Sequence, residues 1–179
     1  FPGHAKVNFG NRDYLHASFL QDGSSKQFTM LTKFAVFESE GGPIPDGTPI
    51  MSARLGVYKV SAYNYRYGAH RMLVPWDEKE ATWNSALAGQ TWNESGGLGR
   101  GTDMANIPDG EGEVGWSPGW VDIDVTSGVQ AMGNGQANYG WHVVGIVGNG
   151  NIKKFHSREY QVDPSLRPKL IIVLSGVQP

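Results

Sequence analysis

The chain contains no cysteine. That removes disulfide staples, thiolate metal ligands and cysteine nucleophiles together, and it leaves the compartment open, since exported bacterial proteins often lack cysteine as well. Charge of one sign is also scarce: 15 Lys and Arg face 17 Asp and Glu, for a formal net charge of −2. No general basic footprint for nucleic acid is present, and with 39% hydrophobic residues the composition is not that of a disordered chain. No apolar run approaches the roughly 20 residues a membrane-spanning helix needs. No signal peptide is evident, and the abrupt start at Phe1 reads as that of a mature or excised chain. Helical periodicity is sparse, with one short helix expected at 126–132, where Thr126 or Ser127 could cap and Gly133 could stop it.

What is abundant is turn and strand chemistry. Twenty-five glycines and ten prolines punctuate 179 residues, a length that suits one domain with its own core, spanning 1–179. Segments 28–37, 50–60, 68–76, 120–126, 139–148, 152–160 and 168–174 are strand-like, several with clear alternation, and lie between clusters of Gly, Pro, Asn or Asp. "GGPIPDGTP" (41–49) is a turn by composition. Regularly spaced strands with little helix predict an all-β fold, a two-sheet antiparallel β-sandwich of jelly-roll type. Its interior is expected to hold Phe34, Leu55, Val57, Val74, Ile123, Val125, Phe155, Ile171 and Val173. The stretch 93–119, Gly-rich and polar, reads as a long surface loop.

Recognisable catalytic spacing is missing. There is no GxSxG, and the histidines at 4, 16, 70, 142 and 156 show no HxxxH or HxH pattern for a metal. Asp122 and Asp124 share a strand face in the manner of a glycosidase pair, although the plainer reading has one of them bonding the next loop or capping the helix. "GGLGRG" (96–101) lacks a feeding strand and a following Lys-Ser/Thr, so it reads as a flexible loop, not a phosphate cradle. "DMANIPDGEGE" (103–113) offers oxygen ligands without the EF-hand order; such a loop could hold a structural calcium ion, and nothing else in the sequence requires a cofactor.

Alternation leaves a set of cations and rings on one phase. Lys33, Arg54 with Tyr58, and His156 with Arg158 fall opposite apolar neighbours. Singly, each is what a solvated strand face looks like. Together they predict a face with cations and rings that suits an acidic polymer.

The ordered motifs "MLTKF" (30–34), "PDGTPIMSARLGVY" (45–58), "VPWDEKEATWN" (74–84), "VDIDVTSGVQAMGNGQANYGWHV" (121–143), "FHSREY" (155–160) and "RPKLIIVL" (167–174) resemble the DNRLRE domain, the group that includes family 96 of the carbohydrate-binding modules. "NFGNRDYL" (8–15) is similar to the family's opening segment. The resemblance covers about residues 8–174, departing from the family before the "NFG" segment, in the length of 93–119 and at Ala35. It implies a jelly roll, export to the bacterial surface or medium, and binding of an acidic polysaccharide such as alginate on behalf of an appended catalytic domain. It implies no catalysis, no nucleic-acid partner and a monomer. By the same resemblance Trp76 and Trp83 read as pins of a strand corner. Trp92, Trp116 and Trp120, in or near the long loop, could equally be sugar platforms, and Trp141 reads as core. Two other classes stand beside the binding module: a small jelly-roll lyase, for which Tyr58, His70, Arg54 and Arg71 supply the residue types, and a structural or adhesive surface module.

Overall fold

The computed structural model describes residues 2–18, 28–62, 65–147 and 153–176. Along the chain they form β1 (Tyr14–Ala17), β2 (Met30–Thr32), β3 (Ile50–Lys59), β4 (Tyr65–Arg71), β5 (Ser85–Leu87), β6 (Gln90–Thr91), β7 (Gly110–Val114) and β8 (Gly119–Asp124). A single helix, α1 (Thr126–Gly133), then leads to β9 (Trp141–Val147), β10 (Lys153–His156) and β11 (Lys169–Leu174).

Two antiparallel sheets face each other. Sheet A carries β1, β10 and β3 in that order, with β8 on one edge of β3 and β11 on the other; sheet B runs β2-β9-β4-β7. Setting aside the short β5-β6 hairpin and the added β11, the eight principal strands order as first, eighth, third, sixth over second, seventh, fourth, fifth. That is the double wrap of a jelly roll. β11 resumes the edge of β3 that β10 leaves, with Phe155 opposite Lys59 and Lys169 opposite Gly56. Residues 157–168 are therefore an excursion from what is otherwise one line of pairing.

The core lies between the sheets and follows the period of two that strands impose. Ala53, Leu55 and Val57 of β3, Val121 and Ile123 of β8, and Phe155 of β10 meet Tyr65, Tyr67, Ala69, Trp141 and Val143 of sheet B. Each large side chain buried here is worth roughly 1.5–3 kcal/mol relative to exposure. A second cluster sits on the far side of sheet B, where Met72, Ala86, Trp92 and Met104 pack with Leu31, Trp76, Leu98 and Tyr139.

Several expectations are corrected. Ile171 and Val173 are 48% and 46% exposed, on the outer face of sheet A. Leu170, Ile172 and Leu174 pack against the core instead. A run of consecutive apolar residues has no phase of its own, so pairing with β3 decides which face is buried. Phe34 is half-buried at the core margin, and Val74 packs in the second cluster. The stretch 93–119 is not one surface loop: it contains β7 and the buried Asp103 and Met104. The Gly-Glu-Gly-Glu of β7 reads as loop by composition, yet Gly112 lets it close on β8, since a Cβ there would lie 2.7 Å from the Asp122 carbonyl oxygen. Finally, α1 is not capped by Thr126 or Ser127. Asp124 accepts from the Thr126 N–H at 2.9 Å, while the Thr126 hydroxyl accepts from Ala53 N–H.

Candidate functional site

The outward residues of sheet A follow from the same alternation that buries its other face. Tyr14 and His16 come from β1, Lys154 and His156 from β10, Arg54 and Tyr58 from β3, Trp120 and Asp122 from β8, and Lys169 from β11. Across the strands the rings form a row. Tyr14 stacks with His156 at 5.6 Å between centroids, His156 with Tyr58 at 5.6 Å, and Tyr58 meets Trp120 edge-on at 5.4 Å. Tyr160, from the 157–168 excursion, stacks on His156 at 3.6 Å and leaves that ring buried. Burial holds the His156 pKa below the ordinary histidine value, so the ring is neutral at neutral pH.

Cations stand at both ends of the row. Lys169 Nζ lies 3.7 Å from the Trp120 ring centroid, and Lys154 Nζ lies 5.4 Å from that of Tyr14. Lys169 reaches across β3 because Gly56 has no side chain; a Cβ there would sit 3.3 Å from the lysine stem. Among the described residues neither lysine has a carboxylate within 4.0 Å. Their charge is held over rings, where cation–π attraction positions it without neutralising it.

The five residues singled out from sequence do not form one cluster. Tyr58 and His156 are neighbours in the row. Arg54 is exposed on the same sheet, opposite Asp124 and Ile171 in register. Lys33 and Arg158 line a cleft of about 470 Å³ at the sandwich edge with Trp76, Asp77 and Glu78. There Arg158 pairs with Glu78 at 2.9 Å and with Glu159 at 2.9 Å. Sequence reasoning missed Tyr14, Lys154, Tyr160 and Lys169 and gave Trp120 no partner. The signal for Trp120 was its phase against Val121 and Ile123; Tyr160 closes the segment 152–160 that reads as one strand, but the strand ends at His156, so its phase did not show that it folds back onto that ring.

The residue types of a lyase are dispersed. Tyr58 and Arg54 are on sheet A, whereas His70 is buried on sheet B with Nδ1 2.9 Å from the Ala105 carbonyl oxygen, and Arg71 donates to Gln136 at 2.8 Å. Packed sheets lie about 10 Å apart, so these groups do not share a groove. Of the acid pair, Asp124 is occupied at α1 and hydrogen bonding from Thr126 holds its pKa below the usual carboxylate range. Among the described residues no group of three or more His, Asp or Glu side chains converges in a way that could hold a metal. Asp103, from the stretch read as a calcium loop, accepts from Asn93 N–H, the Asn93 amide, Glu94 N–H and Gly99 N–H.

The tryptophans divide by face. Trp76 donates to the Tyr139 carbonyl at 2.7 Å, and buried Trp92 to that of Thr82 at 2.9 Å. Trp83 occupies the space where Gly96, at φ 83°, would carry a Cβ. The "GGLGRG" segment is thus a packed floor for indoles, not a flexible loop. Trp141 is fully buried and donates to Asp109 at 2.8 Å. Only Trp116 and Trp120 remain as platforms, and Trp120 alone belongs to the row. Compared with family models and with curated proteins, the chain matches none.

Proposed function

We propose that this protein is a non-catalytic carbohydrate-binding module that holds an acidic polysaccharide, alginate or another uronate or sulfated polymer, on the outer face of sheet A and so brings an attached enzyme to it. The observation that carries the reading is the row Tyr14–His156–Tyr58–Trp120 with Lys154 and Lys169 over its end rings. Sugar rings present apolar C–H faces that aromatic side chains cover, and unpaired lysines supply charge to carboxylate or sulfate groups. The resemblance of its motif order to the DNRLRE domain supports the same ligand class, an exported location and a non-catalytic role. The reading requires no cofactor. Arg54 adds a further exposed cation to this face, whereas at the edge cleft Lys33 stands beside an Arg158 already paired with Glu78 and Glu159.

Affinity electrophoresis in alginate-containing gels tests it. Retardation is expected for the native chain, to weaken as salt shortens the Debye length from about 10 Å at 0.1 M to about 3 Å at 1 M, with no unsaturated product formed on long incubation. Trp120→Ala removes the open end of the row and should weaken binding by at least about tenfold while the fold persists. Native mobility that is indifferent to every acidic polymer, or product release that depends on Tyr58, would reject the proposal.

A further inference from the structure

We infer that the binding face is bipartite: beyond Tyr14 the row opens into a second subsite, a groove between the N-terminal segment and β1, which takes further acidic sugar residues of the same polymer through Arg12 and Lys154. This rests on the polysaccharide reading above and sharpens it, because it fixes how long a ligand must be.

The groove encloses about 670 Å³ and is lined by His4, Phe9, Arg12, Tyr14, His16 and Phe28, with Asp13 as the single carboxylate on its wall. Its chemistry repeats that of the Trp120 end. Arg12 lies over the Phe9 ring at 5.9 Å, and Lys154 over Tyr14 at 5.4 Å. Among the described residues neither cation has a carboxylate within 4.0 Å. The positive field of Lys154 is felt locally: after burial, it is the second cause that lowers the pKa of His16 in the same wall.

The stacked His156 and Tyr160 stand between the two ends and divide the row into a Tyr58–Trp120–Lys169 platform and a Tyr14–Lys154 platform. Adjacent strands are about 4.8 Å apart, close to the advance of one sugar residue in an extended chain. From β8 to β1 is three such intervals, and the groove lies beyond. A disaccharide can therefore engage one platform only. A longer chain engages both, and the second contact is then intramolecular, which raises affinity without any new kind of interaction.

Calorimetric titration of the full chain with uronate oligomers of increasing length, from dimer to octamer, tests this. Affinity is expected to step up once the oligomer spans both platforms. Arg12→Ala, which leaves the row untouched, should shrink the step, lowering long-oligomer affinity about threefold and leaving dimer affinity unchanged, whereas Lys154→Ala and Trp120→Ala, which alter the row itself, should weaken long and short oligomers alike. The Arg12 side chain is exposed, so unchanged thermal melting is expected of its variant and serves as the folding control. A parallel series of sulfated oligomers separates sulfate from carboxylate recognition. Equal native affinity at every length, or an Arg12→Ala variant that keeps the full step, overturns the second subsite and leaves the polysaccharide reading intact. No binding by the native chain at any length, carboxylated or sulfated, overturns the polysaccharide reading itself, as does tighter binding of single-stranded nucleic acid.

Discussion

The two outer faces of the sandwich have been treated in opposite ways by the sequence. Sheet B is roofed by residues 72–109, whose Met72, Ala86, Trp92 and Met104 form a second core on it. Sheet A carries Tyr14, Tyr58 and Trp120 half-buried around the covered His156 ring, with lysines over the two end rings. Both faces contain aromatic and histidine side chains, so residue type does not separate them. Hydrogen bonding does. His70 and His142, opposite each other on β4 and β9, are tied to the Ala105 and Gly97 carbonyls of the roof, while Tyr14, Tyr58, His156 and Trp120 are held by contact with one another. A face that is bonded to its own chain is structure; a face whose polar groups point outward is available.

The sharpest way to break this contrast is at Asp103. It is fully buried, and although burial opposes its charge, N–H donors from Glu94, Asn93 and Gly99 outweigh that and hold its pKa below the usual range. Asp103→Ala strands four donors and should cost about 3–5 kcal/mol of stability, read as a fall in denaturation midpoint. The molecules that remain folded should still bind acidic polysaccharide as the native chain does, because the roof is on the other side. Loss of binding with the fold retained would mean that the faces are coupled.

Acid provides a second, smaller lever on the roof. Burial lowers the His142 pKa to about 4, and His70 moves in the same direction for the same reason. Unfolded, His142 titrates near 6.5. Between those values the unfolded chain holds a proton that the folded chain does not. Stability is therefore unaffected above about 6.5, falls as pH drops through that window, and levels off below about 4, for a loss of up to about 3 kcal/mol from this residue. Denaturation series across that range should show the slope, and His142→Phe should flatten it. An unchanged slope in the variant would assign the titration elsewhere.

The contrast between faces also separates what could be read in the sequence from what could not. Where one face of a strand is buried, alternation is enough: Leu55, Val57, Ile123, Val125 and Phe155 all lie in the core as their phase requires. The sandwich follows from those strands. Alternation fails where both phases are apolar, as in "KLIIVL", and where glycine replaces side chains, as in β7. At the binding face it locates single residues but not their neighbours. Tyr58 and Trp120 are 62 positions apart and meet only because β8 pairs with β3, while Lys33 and Arg54 share a phase and still end on different parts of the surface. The roof was the least legible element of all, since its apolar residues are held by turns and by Asp103 and follow no period.

The smallest effect is expected at the edge cleft, and it tests where the ligand-binding face ends. Arg158 differs from Lys154 and Lys169 in having its charge already met, by Glu78 and Glu159 at 2.9 Å each. Burial pushes the Glu78 pKa up and Arg158 opposes that shift, so the pair is partly desolvated and each member is the other's partner. An incoming anionic group would have to displace Glu78 to reach the guanidinium, and an exposed pair of this kind contributes only about 0–1 kcal/mol in the first place. Arg158→Ala should accordingly change polysaccharide affinity by less than about twofold, whereas Lys169→Ala, which removes from above Trp120 a charge that has no carboxylate within 4.0 Å among the described residues, should change it by more. Paired titrations of the two variants at low and high salt give the order directly. If Arg158→Ala proves the more damaging, the polymer runs along the edge cleft past Lys33 and Trp76, and the aromatic row on sheet A is a packed surface instead of the site.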